Sequence, residues 1–201
     1  MKETYETYYY YMSRYILMEK VFLNEPVKIN RRKQRTEEKL YNALLAAYQD
    51  QDDFNRIEIK AFCERAGVSR ATFYRLHPNL ADVLLTQFVR LISRLAQQIN
   101  ALNQVDFESW STVAVSEIED HLVLFKLVKW AGVQESVEAL LSETILKGMA
   151  ENGCSTANQQ FVSQFIGSSL LQFARQVAEN PTPLTRCQTL ALYRRLMPKV
   201  E

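Results

Sequence analysis

The stretch EIKAFCERAGVSRATFYRLH, from Glu58 to His77, decides the reading of this chain. Ile59, Phe62, Cys63 and Ala66 recur at the spacing of one face of a short helix, expected from about Ile57 to Arg65. Gly67 then stops it, because the left-handed backbone that ends such a helix costs a glycine least. Val68 follows as an apolar plug, and Ser69 is a good N-cap for a second short helix, Arg70 to Leu76. That helix turns Phe73 inward and Arg70, Thr72 and Arg75 outward. Pro78 closes it.

The same grammar extends outward. Upstream, Arg31, Arg32, Lys33 and Arg35 form a basic run, after which Thr36 is expected to cap a helix striped by Leu40, Ala43, Leu44, Ala47 and Tyr48. The polar loop from Gln49 to Asp53 ends that helix. Downstream, Asn79 is expected to cap a long helix running to about Asn100, striped by Leu84, Phe88, Leu91 and Leu95. Helix, helix, tight turn, helix is a unit whose last short element can lie in a DNA major groove, about 12 Å wide. Arginine suits the guanine edge, threonine suits hydroxyl or methyl contacts, and basic side chains bind phosphate. Arg70 and Arg75 alone would equally describe a solvated helix face; the surrounding motif favours base or phosphate contact.

This segment resembles the TetR family of bacterial transcriptional regulators. The matching residues are Ala66-Gly67-Val68-Ser69, then Thr72-Phe73-Tyr74, then Pro78, and the resemblance covers about Arg35 to Leu95. It implies an N-terminal three-helix helix-turn-helix DNA-binding domain, followed by a helical ligand-binding and dimerisation domain. It implies that Ser69, Arg70, Ala71, Thr72, Tyr74 and Arg75, with Lys60 from the preceding helix, meet DNA, and that Tyr74 touches backbone phosphate. Arg31, Arg32, Lys33 and Arg35 would add phosphate contacts just ahead of the first helix; contacts of this kind position a protein without specifying sequence. Two residues depart from the family. His77 stands where an aromatic, often Phe, is usual, and Leu80 stands where Lys is usual.

Charge is distributed in the same sense. Residues 31–95 carry twelve Lys/Arg against eight Asp/Glu, whereas residues 96–201 carry eight against eleven. A basic front and an acidic rear point the front at an anion. The organisation expected is a Tyr-rich leader over 1–30, a DNA-binding domain over 31–95, and a helical effector-binding and dimerisation domain over 96–201. The leader reads as a loose tail, or as an arm for a lid or a partner.

The rear has no strand alternation, so the fold class expected is all-α. An apolar, aromatic-rich run from Phe107 to Leu127 is followed by a break at Gly132 and a helix striped by Val137, Leu140, Leu141, Thr144 and Ile145. A helix over 158–179 and a last one from Leu184 to Met197 flank the Asn180-Pro181-Thr182-Pro183 break. Trp110, His121, Phe125 and Trp130 are either core or the wall of a pocket for a small apolar or amphipathic effector. Phe165, Ser169, Leu170, Phe173, Leu190 and Arg194 are the expected homodimer face, as the family resemblance implies for its last two helices. His77 is expected to be packed or capping rather than a ligand.

No catalytic constellation, phosphate loop or metal spacing stands out, so neither enzyme activity, nor a cofactor, nor a metal is expected. Cys63, Cys154 and Cys187 are too scattered for a zinc site and read as reduced thiols. No run approaches the ~18 apolar residues of a membrane span, and the expected location is the cytoplasm. The partners expected are double-stranded DNA with a near-palindromic operator and a second copy of the chain. The rival reading is a helical interaction module that keeps the fold and acts through a protein partner.

Overall fold

The computed structural model describes residues 31–102, 106–151 and 158–196. Among them the chain is all-α: nine α-helices and one 3₁₀ turn, with no strand. The leader over 1–30, Gly153, Cys154 and the chain end from Met197 lie outside the described residues. The helices are α1 (Arg31–Gln49), α2 (Ile59–Ala66), α3 (Arg70–Leu76), α4 (Leu80–Asn100) and α5 (Phe107–Asp120). There follow α6 (Leu122–Trp130), α7 (Gln134–Glu151), α8 (Gln159–Glu179) and α9 (Arg186–Leu196), and the 3₁₀ turn is Phe54–Arg56. No helix among the described residues is long and apolar enough to cross a membrane.

The front helices close on one another through the stripes that periodicity marks. Leu40, Ala43 and Leu44 of α1 meet Phe62, Cys63 and Ala66 of α2, Phe73 of α3, and Leu80, Val83 and Leu84 of α4 in one apolar cluster, and Ala47 of α1 is buried as well. Thr36 does not cap α1. It lies inside the helix, and its Oγ1 donates to the Arg32 carbonyl at 3.0 Å. The basic run Arg31–Arg35 is therefore the first turns of α1 and not a strand of chain ahead of it. Val68 is only half-buried, a lid on the cluster rather than a plug in it.

α4 carries the cluster into the rear without a break. Its early turns hold Val83 and Leu84 in the front, Phe88 packs edge-on to Phe125 of α6 at 5.6 Å, and Ile99 joins Phe107 and Trp110 of α5. The apolar run after Phe107 is not one helix but two. His121 separates α5 from α6 with backbone angles of −127° and 24°. Its Nδ1 lies 2.7 Å from the Glu117 carbonyl and its Nε2 faces the Arg94 guanidinium. A guanidinium can only donate, so Nε2 accepts and Nδ1 carries the proton. Gly132 ends α6 with φ of 64°, as expected of that glycine.

α7 and α8 form an antiparallel pair. Arg175 bonds Gln134 at one end, and Gly167 lies against Ser142 further along. The approach at Gly167 is close enough to require glycine: a Cβ there would fall 2.7 Å from Ser142 Oγ and 3.1 Å from Ser142 N. Small residues allow this kind of helix contact. The last helix is tied to α5. Tyr193 is fully buried, accepts a hydrogen bond from Trp110 Nε1 at 3.1 Å, and stacks edge-on to Phe173 at 5.2 Å. Burial pushes the Tyr193 phenol up to about 12. Beside it Arg194 donates through Nε to Ser111 Oγ at 2.8 Å and through Nη2 to the Glu108 carbonyl and Thr112 Oγ1, both at 3.1 Å, and it pairs with the Glu108 carboxylate.

Gly167→Ala should cost about 1–3 kcal/mol, because the added methyl meets backbone as well as a hydroxyl and α7 must move away. Urea unfolding monitored by circular dichroism measures this, and an unchanged midpoint would show that the two helices have slack.

Candidate nucleic-acid interface

The turn between α2 and α3 is built by local chemistry. Gly67 adopts φ 60°, ψ 41°. The Gly67 N–H bonds the Glu64 carbonyl at 3.1 Å, and the Val68 N–H reaches back to the Cys63 carbonyl at 3.0 Å. These bonds satisfy carbonyls that the end of α2 would otherwise leave open. Ser69 caps α3: its Oγ accepts from the Thr72 N–H at 3.2 Å and donates to Thr72 Oγ1 at 2.9 Å. Phe73 is the anchor, fully buried and edge-on to Phe62 at 6.0 Å.

With Phe73 inward, the other side of α3 faces solvent. Arg70, Ala71 and Arg75 are exposed, Tyr74 is 51% exposed, Thr72 is half-buried by its cap, and Ser69 and Lys60 are exposed. Arg70, Arg75 and Lys60 have no ion-pair partner among the described residues. Three aspartates of the loop before α2 are engaged elsewhere: Asp50 and Asp52 meet Arg65 at 3.3 Å, and Asp53 meets Arg56. Arg31, Arg32, Lys33 and Arg35 are exposed on the first turns of α1. Burial pushes the Cys63 thiol up, only partly offset by the charge of Arg70, so it stays protonated under the helix pair.

What holds α3 in place was not readable in the motif. His77 is buried and is hydrogen-bonded at both ring nitrogens: Nε2 lies 2.8 Å from Glu37 Oε2 and Nδ1 lies 2.8 Å from Asp82 Oδ2. The geometry suits the protonated ring, whose two N–H groups can each donate to a carboxylate oxygen. Burial opposes that charge, but the hydrogen bonds and negative charges of Glu37 and Asp82 outweigh it, and the His77 pKa is raised. The bridge ties α1, the end of α3 and the first turn of α4 together. It also brings the basic start of α1 to the same end of the front as the end of α3. Leu80 is buried in the cluster next to this bridge, so the position supplies packing and no cation.

The rear residues expected to share a pocket each have a different neighbour. Trp110 bonds Tyr193, His121 joins Glu117 and Arg94, Phe125 packs on Phe88, and Trp130 Nε1 donates to the Asp52 carbonyl at 2.8 Å. Trp130 borders an open groove with Tyr48, Gln49, Gln51 and Asp52. Of the six residues expected at a dimer face, Phe173 is buried on Tyr193 and Arg194 is bound to α5, which commits both inside the chain. Ser169, Leu170 and Leu190 are half-buried, and Phe165 is 47% exposed. The apolar surface of the last two helices also includes Phe161, stacked on Phe165, and Leu192 and Leu196. The i, i+4 spacing of each of these pairs was the available signal.

The chain matches no family model and no curated protein. It shares its fold with the crystal structure of Lin0861 from Listeria innocua, at 25% sequence identity and a TM-score of 0.80. The match covers 89% of this chain and 97% of that one.

The His77 bridge makes stability depend on pH in a definite sense. A raised pKa adds stability that is complete below the unfolded value, about 6.5, and is lost as pH rises through the folded value. The free energy of unfolding should therefore fall on going from pH 6.5 into the alkaline range. In Glu37→Met/His77→Phe, which removes the buried charges together, that fall should flatten relative to wild type. Parallel curves for the two proteins would show that the bridge is not the source.

Proposed function

We propose that this chain is a sequence-specific, DNA-binding transcriptional regulator of the TetR type, acting as a homodimer and most simply as a repressor. The observation that carries the reading is the outward face of α3: Arg70, Tyr74 and Arg75 are exposed, with Arg70 and Arg75 free of acidic partners among the described residues. A helix so presented fits the major groove with its N-terminal turn at the base edges. Lys60 and the exposed basic turns of α1 add cationic surface for phosphate. In this reading residues 31–95 are the DNA-binding head and residues 96–201 are the effector-binding and dimerisation body.

Two heads would enter successive major grooves, with half-site centres about 34–36 Å apart or a multiple of that, on a near-palindrome. The exposed pairs Phe161/Phe165 and Leu192/Leu196 on α8 and α9 supply an apolar face for a second copy. A small apolar or amphipathic effector would release the DNA by binding one spacing of the heads better than the other. The reading of an interaction module rests on Leu80, which removes one expected phosphate contact while strengthening the core.

Selection of duplexes from a random pool by purified protein tests the proposal. The expected result is a near-palindrome whose binding weakens steeply with salt; recovery without any shared sequence refutes it. Arg70→Ala should cost about 1–3 kcal/mol of operator affinity and relax one base position. Arg75→Ala should lower the salt slope by about one. No binding even at low salt would leave the interaction module as the better reading.

A further inference from the structure

We propose that Trp130 is a positioning residue that transmits the placement of α6 to the α2–α3 pair, by a chain of contacts running through the loop after α1. The inference rests on the DNA-binding reading above. Trp130 closes α6, yet its ring pairs and its indole hydrogen bond reach the front: the ring is edge-on to Tyr48 at 5.5 Å and to Phe54 at 5.0 Å, and Nε1–H bonds the Asp52 carbonyl at 2.8 Å. Asp52 in turn hands the contact on. Its carboxylate lies 3.3 Å from Arg65 Nη1, and Asp50 meets the same nitrogen at 3.3 Å. Arg65 stands in the last turn of α2, just ahead of the Gly67 turn that aims α3. Indole, loop carbonyl, loop carboxylate and guanidinium thus form one connected path from the rear to the turn.

Two features suit the loop to be a moving part. Gln51, between the two aspartates, holds φ at 60°, the one non-glycine residue in the left-handed region among the described residues. Such a backbone is unfavourable for a residue with a Cβ and is held in place by its surroundings. The loop also borders the open groove, about 480 Å³, between Tyr48, Gln49, Gln51, Asp52 and Trp130. A contact beside open space can be re-made at a new distance, whereas a close-packed one resists. On the rear side α6 is anchored by Phe125 on Phe88, so whatever displaces α6 carries Trp130 with it.

The test uses the full-length protein and the duplex recovered by selection. Trp130→Phe keeps an aromatic ring but lacks the N–H, and Arg65→Gln, on an exposed side chain, breaks the path at its other end. Each should change duplex affinity on the order of five- to tenfold while leaving the salt slope as in wild type, because neither residue touches phosphate. The Trp130 emission, obtained as wild type minus Trp130→Phe, should shift when duplex saturates the protein. Wild-type affinity in both folded variants, with no shift in that emission, overturns the relay alone. A salt slope that falls with affinity overturns it too, by making the residues direct contacts. Failure to recover any duplex removes the DNA-binding reading and the relay with it.

Discussion

The front of this protein depends on a buried histidine hydrogen-bonded between two carboxylates. Glu37 and His77 are both about 1% exposed, and water cannot screen either charge. A lone buried charge is strongly unfavourable, and each member of the bridge is tolerable only because the others are there. Shape follows from this. Glu37 belongs to α1, His77 is the residue that ends α3, and Asp82 lies in the first turn of α4, where an acidic group also meets the favourable end of the helix dipole. Rotation or sliding of any one helix would break a hydrogen bond in a place with no substitute partner. Apolar packing brings these helices together; the bridge selects one mutual arrangement from the several that packing alone would accept.

The rear closes by a related device with neutral partners. Trp110 and Tyr193 bury large rings, and the indole N–H finds its acceptor in the phenol oxygen. Arg194 adds bonds to two hydroxyls, a carbonyl and a carboxylate on α5. α9 is consequently bound to its own chain along one side, while Leu192 and Leu196 remain exposed.

What could be read from the residues was what the backbone settles locally. Gly67, Ser69, Asn79 and Gly132 each act through bonds within a few positions, and each stands where its chemistry requires. The Phe62, Cys63 and Ala66 stripe was legible for the same reason. Contacts between distant segments were not. Glu37 with His77, Trp110 with Tyr193, and Trp130 with Asp52 join positions 40, 83 and 78 apart, and no spacing rule links them. The contacts of Phe173 with Tyr193 and of Arg194 with α5 were not legible because α8 and α9 carry apolar residues on more than one side, and periodicity does not say which side turns inward. The break at His121 had neither glycine nor proline to mark it.

α4 is one unbroken helix of 21 residues, about 32 Å long, with its first turns built into the front and its last turns built into the rear. Such a strut has no joint within it. A tilt of about 5° at the rear end therefore appears at the other as a swing of about 3 Å, roughly the spacing of one base pair along a duplex. Leverage of that kind makes small rearrangements among α5, α6 and α7 large where α3 is carried.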